Sequence, residues 1–318
     1  MSKFLKLLKN VIPLGLGLYL VYYSFENTTE EARVQIITAI KQADLWFVFL
    51  SLVLGALSHL SRAHRWYYLL SPLGYRPSFV MRTLTVMISY FSNLGIPRSG
   101  EVLRATALTT YAGVPFEKSF GTIVTERIID LVLLFSLIGL GFVLQGPLLL
   151  EAIGNPTLKL NSFFWLLLAL ALLLAGIGFL RRSQHPIALK ILHFISGLWQ
   201  GLLSIKKLEK KGLFLGHTLF IWMMYLLMFW VMTFAIPQTS TISFSAMLLA
   251  FIAGGFAMTA TNGGIGLYPI AVAAVLQTFD IPYPQALAFG WLMWTTQTAM
   301  VVLFGSISFL LLPILSKK

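Results

Sequence analysis

Two uninterrupted apolar stretches constrain the fold of this chain more than any other feature of its sequence. Phe163–Leu180 and Leu213–Ile236 contain no Asp, Glu, Lys or Arg. As helices, both are long enough to cross the hydrocarbon layer of a membrane, which is roughly 30 Å thick. Only 11% of all residues are charged, whereas soluble domains contain about 25%. The sequence therefore predicts an all-α polytopic membrane protein.

The remaining apolar stretches fall into two groups. Six segments have the composition of full transmembrane helices: Val11–Phe25, Leu45–Ser61, Ser119–Gln145, Ser162–Leu180, Leu213–Ile236 and Gln285–Leu312. Two others, Ser78–Tyr111 and Phe244–Phe279, are apolar but contain helix-breaking residues near the middle. These residues are Asn93, Pro97 and Gly100 in the first break, and Asn262, Gly263, Gly264 and Gly266 in the second. We expect each interrupted segment to form two shorter helices.

The distribution of basic residues predicts that each interrupted segment enters and leaves the membrane on one side. With this topology, all 23 Lys and Arg except Arg33, Lys41 and Lys159 lie in the cytoplasm or at cytoplasm-facing ends. A single crossing by the first segment would place the basic residues between 181 and 211 outside, against the positive-inside tendency. We therefore expect two oppositely oriented re-entrant hairpins, with both termini in the cytoplasm of a bacterial-type inner membrane.

The two hairpins occupy equivalent places in the halves of the chain, about 1–145 and 213–318. Each follows a full span and precedes a long helix, and the two face opposite sides, which is typical of an inverted repeat. A span and a cytoplasmic amphipathic helix over about 187–207 join the halves, so we expect one integral membrane domain, 1–318. Polar backbone at membrane depth requires burial in protein or a water-filled cavity. The two breaks are therefore expected to meet in the interior.

Ionisable residues gather at the first break. Arg98, Glu101 and Arg104 are spaced by three and lie near one face of a helix that begins after Gly100. Ser99 and Gly100 leave the amino end of that helix open, with N–H groups and the positive end of its dipole facing a ligand. Such an end suits a phosphate, which arginine also binds through paired donors. The alternative interpretation is an internal salt-bridge network without a ligand.

Two further groups of charges belong to neighbouring helices. The long helix after the hairpin carries Glu126, Arg127 and Asp130, and the two acids share a face that is suited to pairing with Arg98 or Arg104. Arg65 belongs to a basic and aromatic cluster at the cytoplasmic end of the second span. The other members of this cluster are Arg62, His64, Trp66, Arg76 and Arg82. An interfacial anchor is the favoured interpretation of the cluster, and a vestibule that recruits headgroups is the alternative.

Several chemistries have no support in the sequence. The chain contains no cysteine, and His59 and His64 are five residues apart rather than the four of a helical metal pair. The net charge of +12 accompanies apolar spans, which indicates anionic lipid rather than nucleic acid. No nucleophile–base pair is evident either. We therefore expect no catalytic residues, metal site or cofactor, and membrane lipids as partners.

Three motifs, in this order, resemble those of a known family. They are Arg65-Trp66-Tyr67-Tyr68-Leu69-Leu70, Pro97-Arg98-Ser99-Gly100-Glu101 with Arg104, and Glu126-Arg127-Ile128-Ile129-Asp130. Over nearly its whole length the chain resembles the lysylphosphatidylglycerol synthase transmembrane (flippase-like) family. The resemblance implies a membrane domain of the kind implicated in translocating an aminoacylated phospholipid. The chain ends just after its last span, so we expect a stand-alone domain without the aminoacyl-transferase domain of fused members.

The second half departs from the family pattern. The family often has an acidic residue where this chain has Tyr268-Pro269, and an arginine in the last helix, where this chain has Trp291, Trp294 and Gln297. The leading hypothesis is a flippase that moves a charged-headgroup lipid across the inner membrane. The alternative is a non-catalytic membrane partner of a lipid-modifying or glycosyl-transferring enzyme. An intramembrane enzyme has the least support.

Overall fold

In a computed structural model of the chain, the described residues are 3–26, 28–96, 98–152 and 208–315, and their regular structure is entirely helical. These ranges contain ten α-helices: α1 (Lys3–Glu26), α2 (Glu30–Lys41), α3 (Leu45–Leu70), α4 (Phe79–Gly95), α5 (Gly100–Ala112), α6 (Phe116–Ala152), α7 (Lys211–Thr233), α8 (Phe244–Ala260), α9 (Leu267–Gln277) and α10 (Tyr283–Leu315). Short 3₁₀ turns occur at Ser71–Leu73, Pro237–Thr239 and Asn262–Gly264. The predicted all-α class is confirmed for this part of the chain.

Within the described residues, four helical segments are long and apolar enough to cross a membrane. They are Leu45–Leu73, Phe116–Gln145, Lys211–Thr233 and Tyr283–Leu315, and each contains or closely matches a predicted span. The predicted span Val11–Phe25 lies within α1, a helix that is not among these four. The predicted span Ser162–Leu180 and the amphipathic helix at 187–207 lie outside the described residues. The chain is an integral multi-pass membrane protein.

Both interrupted segments form two helices that pack against each other, as predicted. We call α4 with α5 the first hairpin and α8 with α9 the second hairpin. The second break is built from glycines, because Gly263, Gly264 and Gly266 all adopt positive φ angles that side chains disfavour. In the first break the positive φ belongs to Arg98, at 61°. Pro97 lies outside the described residues.

Helix α10 packs against both hairpins, and two of its glycines permit the close approach. A Cβ atom at Gly290 would overlap the backbone of Pro269 in α9, and one at Gly305 would overlap the side chain of Phe91 in α4. Among the described residues, one extensive apolar cluster joins α7, α8, α9 and α10. In it, the rings of Phe229 and Phe289 meet edge to face, with centroids 5.2 Å apart.

The described helices show the same order twice: a long helix, a hairpin and another long helix. The first series is α3, α4–α5 and α6, and the second is α7, α8–α9 and α10. By packing, the chain divides into two compact units, residues 1–123 with 212–318, and residues 124–211. Helix α3, both hairpins and α10 belong to the first unit. The expectation of one integral domain over 1–318 stays a prediction.

Candidate functional site

The sequence suggested an open amino end for α5, but in the structure side chains and backbone of α4 partly close it. The side-chain oxygen of Asn93 accepts a hydrogen bond from the backbone N–H of Gly100 at 2.8 Å. Ser99 also binds back to α4, since its hydroxyl donates to the carbonyl oxygen of Ser92 at 3.2 Å. A Cβ at Gly100 would overlap the carbonyl oxygen of Ser89, so the first residue of α5 is in close contact with the backbone of α4. Part of the predicted anion-binding end is thus occupied by the protein itself.

Arg98 and Arg104, which the sequence placed on one face, occupy different environments. Arg98 is exposed and lies in the break with its backbone in the left-handed region, a conformation that is uncommon for residues other than glycine. Arg104 lies on α5 and is only 2% exposed. Glu101, between them, is half-buried in the first turn of α5. Arg98, Glu101 and Arg104 therefore run from the surface of the hairpin to its interior.

Arg104 packs on the indole ring of Trp66. Its guanidinium carbon lies 3.7 Å from the ring centroid, and Trp66 is completely buried in α3. The indole N–H donates to the hydroxyl of Thr122 at 2.8 Å, which fixes the orientation of the ring. A desolvated cation–π contact contributes about 2 kcal/mol or more. Stacking uses the face of the guanidinium, and the N–H donors lie in the plane of the group.

Arg65 is fully buried one residue earlier on α3. Its guanidinium donates to the hydroxyl of Thr218 on α7 at 3.2 Å, and it lies 5.5 Å from the ring centroid of Phe214. Arg65 is thus enclosed by protein rather than placed at an exposed surface, whereas His64 and Arg76 of the same basic cluster are exposed. Arg65 and Trp66 are enclosed by protein because residues of α5 and α7 pack over this turn of α3.

Two more arginines, which the sequence did not single out as site residues, converge on the same turn. Arg82 on α4 donates to the carbonyl oxygens of Ala63 at 3.1 Å and His64 at 3.3 Å. Arg62 donates to the hydroxyl of Tyr225 on α7 at 3.3 Å. Arg62 is 2% and Arg82 is 5% exposed.

We call Arg62, Arg65, Arg82 and Arg104 the arginine cluster. All four belong to, or touch, residues 62–66 of α3. The sequence signal for Arg62 and Arg82 was their nearness to Arg65 and to a helix that is otherwise apolar. That signal alone favours an interfacial anchor, because helical periodicity does not reveal which neighbouring helix covers a face.

The charged motif on α6 belongs to the second unit. Glu126 and Asp130 are buried and Arg127 is half-buried. The two acids are one turn apart and share a face, as expected. Their predicted pairing with Arg98 or Arg104 would join the two units and stays a prediction.

The two breaks meet, as the sequence predicted. The side-chain amide of Asn262 donates to the carbonyl oxygen of Gly95 at 2.9 Å, although the residues are 167 positions apart in sequence. A Cβ at Gly263 would overlap the side chain of Leu94, so the backbones approach closely here. Trp294 of α10 donates its indole N–H to the carbonyl oxygen of Gly263 at 2.7 Å. Asn262 is completely buried.

A cavity of about 250 Å³ lies beside this junction of the two hairpins. Its wall is mostly apolar, with contributions from α3, α4, α7, α8, α9 and α10. The residues with polar side-chain atoms that line it are His59, Tyr90, Tyr225, Tyr268, Trp294, Gln297 and Thr298. Within the described residues, no three His, Asp or Glu side chains come together in a way that suits a metal ion.

The chain is similar in sequence to known membrane proteins. It is 26% identical over 266 residues to a UPF0104 membrane protein of Methanocaldococcus jannaschii, a match that covers 76% of this chain and 77% of the relative. A UPF0104 membrane protein of Methanothermobacter thermautotrophicus is 24% identical over 278 residues, or 78% of each chain.

A third similarity is partial. The glycosyltransferase AglD of Haloferax volcanii is 29% identical over 106 residues, which are 33% of this chain and 17% of that protein. No solved structure matches the chain. Residues 10–305 match the family described as lysylphosphatidylglycerol synthase TM region. Together with the motifs around Arg65, Arg104 and Glu126, this match shows that the chain belongs to the lysylphosphatidylglycerol synthase transmembrane family.

Proposed function

We propose that this protein is a flippase that moves a lipid with a charged, phosphate-bearing headgroup across the inner (cytoplasmic) membrane. The observation that carries this proposal is the arginine cluster, four guanidinium groups buried against one turn of α3. An ionisable residue near the middle of a bilayer costs at least about 2.5 kcal/mol on insertion scales. Apolar side chains fill a purely structural place at lower cost. Arginine is also the side chain best suited to bind phosphate oxygens in pairs.

The headgroup enters from the cytoplasmic side, where Arg98 is the exposed first contact. It then binds the arginine cluster, where Arg104 and Arg65 are its contacts. Glu101 holds the arginines in place or binds a cationic part of the headgroup, a role that the sequence also offers to Glu126 and Asp130 of α6. Arg127, beside the two acids, completes the charged motif of that helix. The lipid leaves on the other side when the two halves of the chain rock against each other around the junction of the breaks.

The proposed topology has six transmembrane helices and two re-entrant hairpins that enter from opposite sides. The repeated order of long helix, hairpin and long helix supports an inverted repeat. The hydrogen bond between Asn262 and Gly95 supports a junction in the protein interior, where irregular backbone is tolerated at membrane depth. Both termini face the cytoplasm, since this places most Lys and Arg there.

Reconstitution into vesicles tests the transport function. Purified protein is placed in vesicles with a trace of fluorescent NBD-labelled phosphatidylglycerol, and dithionite measures how fast the label reaches the outer leaflet. We expect the wild type to accelerate this movement and Arg104→Gln to lose most of the acceleration. Arg33→Gln is the matched control, because Arg33 also stacks on an aromatic ring, at 3.8 Å from the centroid of Phe25, but outside the cluster. Equal rates for both variants and wild type would show that Arg104 does not bind the headgroup.

The second candidate function is that of a non-catalytic partner of an enzyme that modifies lipids or transfers sugars. The partial similarity to the glycosyltransferase AglD favours it, because there a related segment forms part of a larger protein named for sugar transfer. Purification of the native complex from membranes separates the two functions. A stoichiometric enzyme partner, together with no lipid movement in vesicles, would favour the accessory role.

A further inference from the structure

His59 lines the cavity at the junction of the hairpins and is almost completely buried, with 5% of its surface exposed. Its ring packs against Tyr90, with centroids 4.5 Å apart. The Nδ1 atom has no hydrogen-bond partner among the described residues. Buried polar atoms in native proteins are nearly always satisfied, so a group that enters the cavity is expected to complete this site.

The cavity has room for that group. A volume of about 250 Å³ holds several water molecules, each of which takes about 30 Å³ in the liquid. The hydroxyls of Tyr90 and Tyr225 and the side chains of Gln297 and Thr298 supply the polar partners that buried water needs. Histidine is one of the ionisable side chains that form proton relays in membrane proteins.

A chain of contacts connects His59 to the arginine cluster. The Tyr90 hydroxyl lies 3.3 Å from that of Tyr225, and Arg62 donates to Tyr225 at 3.3 Å. Arg62 is also one turn after His59 on α3, so the two side chains are neighbours on the helix surface. The ionisable groups around His59 are therefore Arg62 on α3, Tyr90 on α4, Tyr225 on α7 and Tyr268 on α9. No carboxylate is among the described residues that line the cavity.

We propose that His59 is the proton-binding residue that couples lipid movement to proton movement. A proton on His59 adds a second positive charge beside Arg62, which is unfavourable while the arginine cluster is empty. An anionic headgroup at the cluster offsets this repulsion, so His59 takes up a proton from water in the cavity when the lipid binds. When the headgroup leaves on the other side, the imidazole returns the proton to water there. The lipid anion and one proton thus cross together.

This inference rests on the proposed function for its physiological meaning, but binding alone tests it. If lipid and proton binding favour each other, the coupling is reciprocal. Lowering the pH from 8 to 6 then strengthens lipid binding, by up to about tenfold per pH unit.

Isothermal titration calorimetry provides the test. The purified full chain in detergent is titrated with soluble dihexanoyl phosphatidylglycerol, in pairs of buffers that differ in ionisation enthalpy. The difference in heat gives the number of protons taken up per bound lipid. We expect net proton uptake by the wild type, loss of uptake in His59→Gln, and uptake retained in His64→Gln, an exposed histidine on the same helix. Dihexanoyl phosphatidylcholine, which carries no net charge, is expected to cause little uptake.

If His59→Gln does not fold, the calorimetry of the wild-type protein still tests the inference. Binding of the anionic lipid without proton uptake, or with an affinity that is independent of pH, would overturn it, as would the absence of binding. The vesicle assay keeps this result distinct from the proposed function. Lipid movement that an imposed pH gradient does not alter would remove only the proton coupling. Failure of the wild type to move lipid would remove the flippase function, while calorimetry still reports on His59.

Discussion

Trp66 holds the guanidinium of Arg104 through its ring face and is itself held by the hydrogen bond to Thr122. Trp66→Phe keeps an aromatic face but loses the hydrogen bond, and we expect it to lower the free energy of unfolding by about 1 kcal/mol for that bond. Trp66→Leu also removes the cation–π contact, and we expect a further loss of about 2 kcal/mol. Thermal unfolding in detergent and the vesicle assay measure both effects.

The informative result is which of the two Trp66 variants retains more lipid movement. We expect Trp66→Phe to retain more lipid movement than Trp66→Leu, because only the former still positions Arg104. Thr122→Val is the matched control, since it removes the hydrogen-bond acceptor and leaves the ring in place. Equal stability and activity of Trp66→Phe and Trp66→Leu would mean that the ring face does not position the arginine.

Single residues of the site could be predicted from the sequence only where local spacing carried the information. Arg65 and Arg104 were identified, and both are buried. Arg98 was grouped with them by its spacing, yet the left-handed backbone at the break directs it away from the helical face, and it is exposed. Arg62 and Arg82 were assigned to the membrane interface because their burial depends on α7 and α3, which are distant in sequence.

Within the first hairpin, close contact between α4 and α5 depends on Gly100. A Cβ there would overlap the carbonyl oxygen of Ser89 and the side chain of Asn93. We expect Gly100→Ala to lower the free energy of unfolding by about 1–3 kcal/mol, the usual cost of overpacking. Gly95→Ala is the control, because a Cβ at Gly95 meets open space. Melting temperatures in detergent compare the two; a Gly100→Ala protein as stable as Gly95→Ala would contradict the close packing.

The two hairpins are joined by the amide of Asn262. Asn262→Asp keeps the size of the side chain but places a carboxylate oxygen against the carbonyl oxygen of Gly95. We expect a loss of about 1–3 kcal/mol in the free energy of unfolding, or more because the group is charged and buried. Gln238→Glu makes the same chemical change at an exposed position and is expected to stay within about 0.5 kcal/mol of wild type. A stable Asn262→Asp protein would argue against a tight junction of the breaks.

Secondary structure in the described residues could be predicted to different extents. Both breaks were located from helix-breaking residues, because glycine and proline act on the backbone locally. Helix α2 (Glu30–Lys41) was not predicted, since it has mixed polarity and none of its residues is buried. Its signals are those of helix ends alone, with the Thr29 hydroxyl accepting from the N–H of Ala32 at 3.2 Å and two acids in the first turn.

For the whole molecule, topology decides whether the hairpins are re-entrant, and the absence of cysteine from the chain makes topology directly measurable. Four single-cysteine variants at exposed positions flank the two hairpins: Arg76→Cys, Glu117→Cys, Gln238→Cys and Gln277→Cys. A maleimide that does not cross membranes is applied to intact cells and to inside-out vesicles. Because basic residues stay in the cytoplasm, we expect Arg76→Cys and Glu117→Cys to react only in inside-out vesicles. Gln238→Cys and Gln277→Cys should react only in intact cells.

The topology follows from comparing the two cysteine positions that flank one hairpin, rather than from any single position. Two positions that flank one hairpin must react from the same side if that hairpin is re-entrant, whereas a single crossing separates them. The two hairpins must also differ in side if the halves form an inverted repeat. Labelling of Arg76→Cys and Glu117→Cys from opposite sides would show that α4 and α5 together cross the membrane. The arginine cluster would then lie beside a continuous crossing, and alternating access around paired breaks would lose its structural basis.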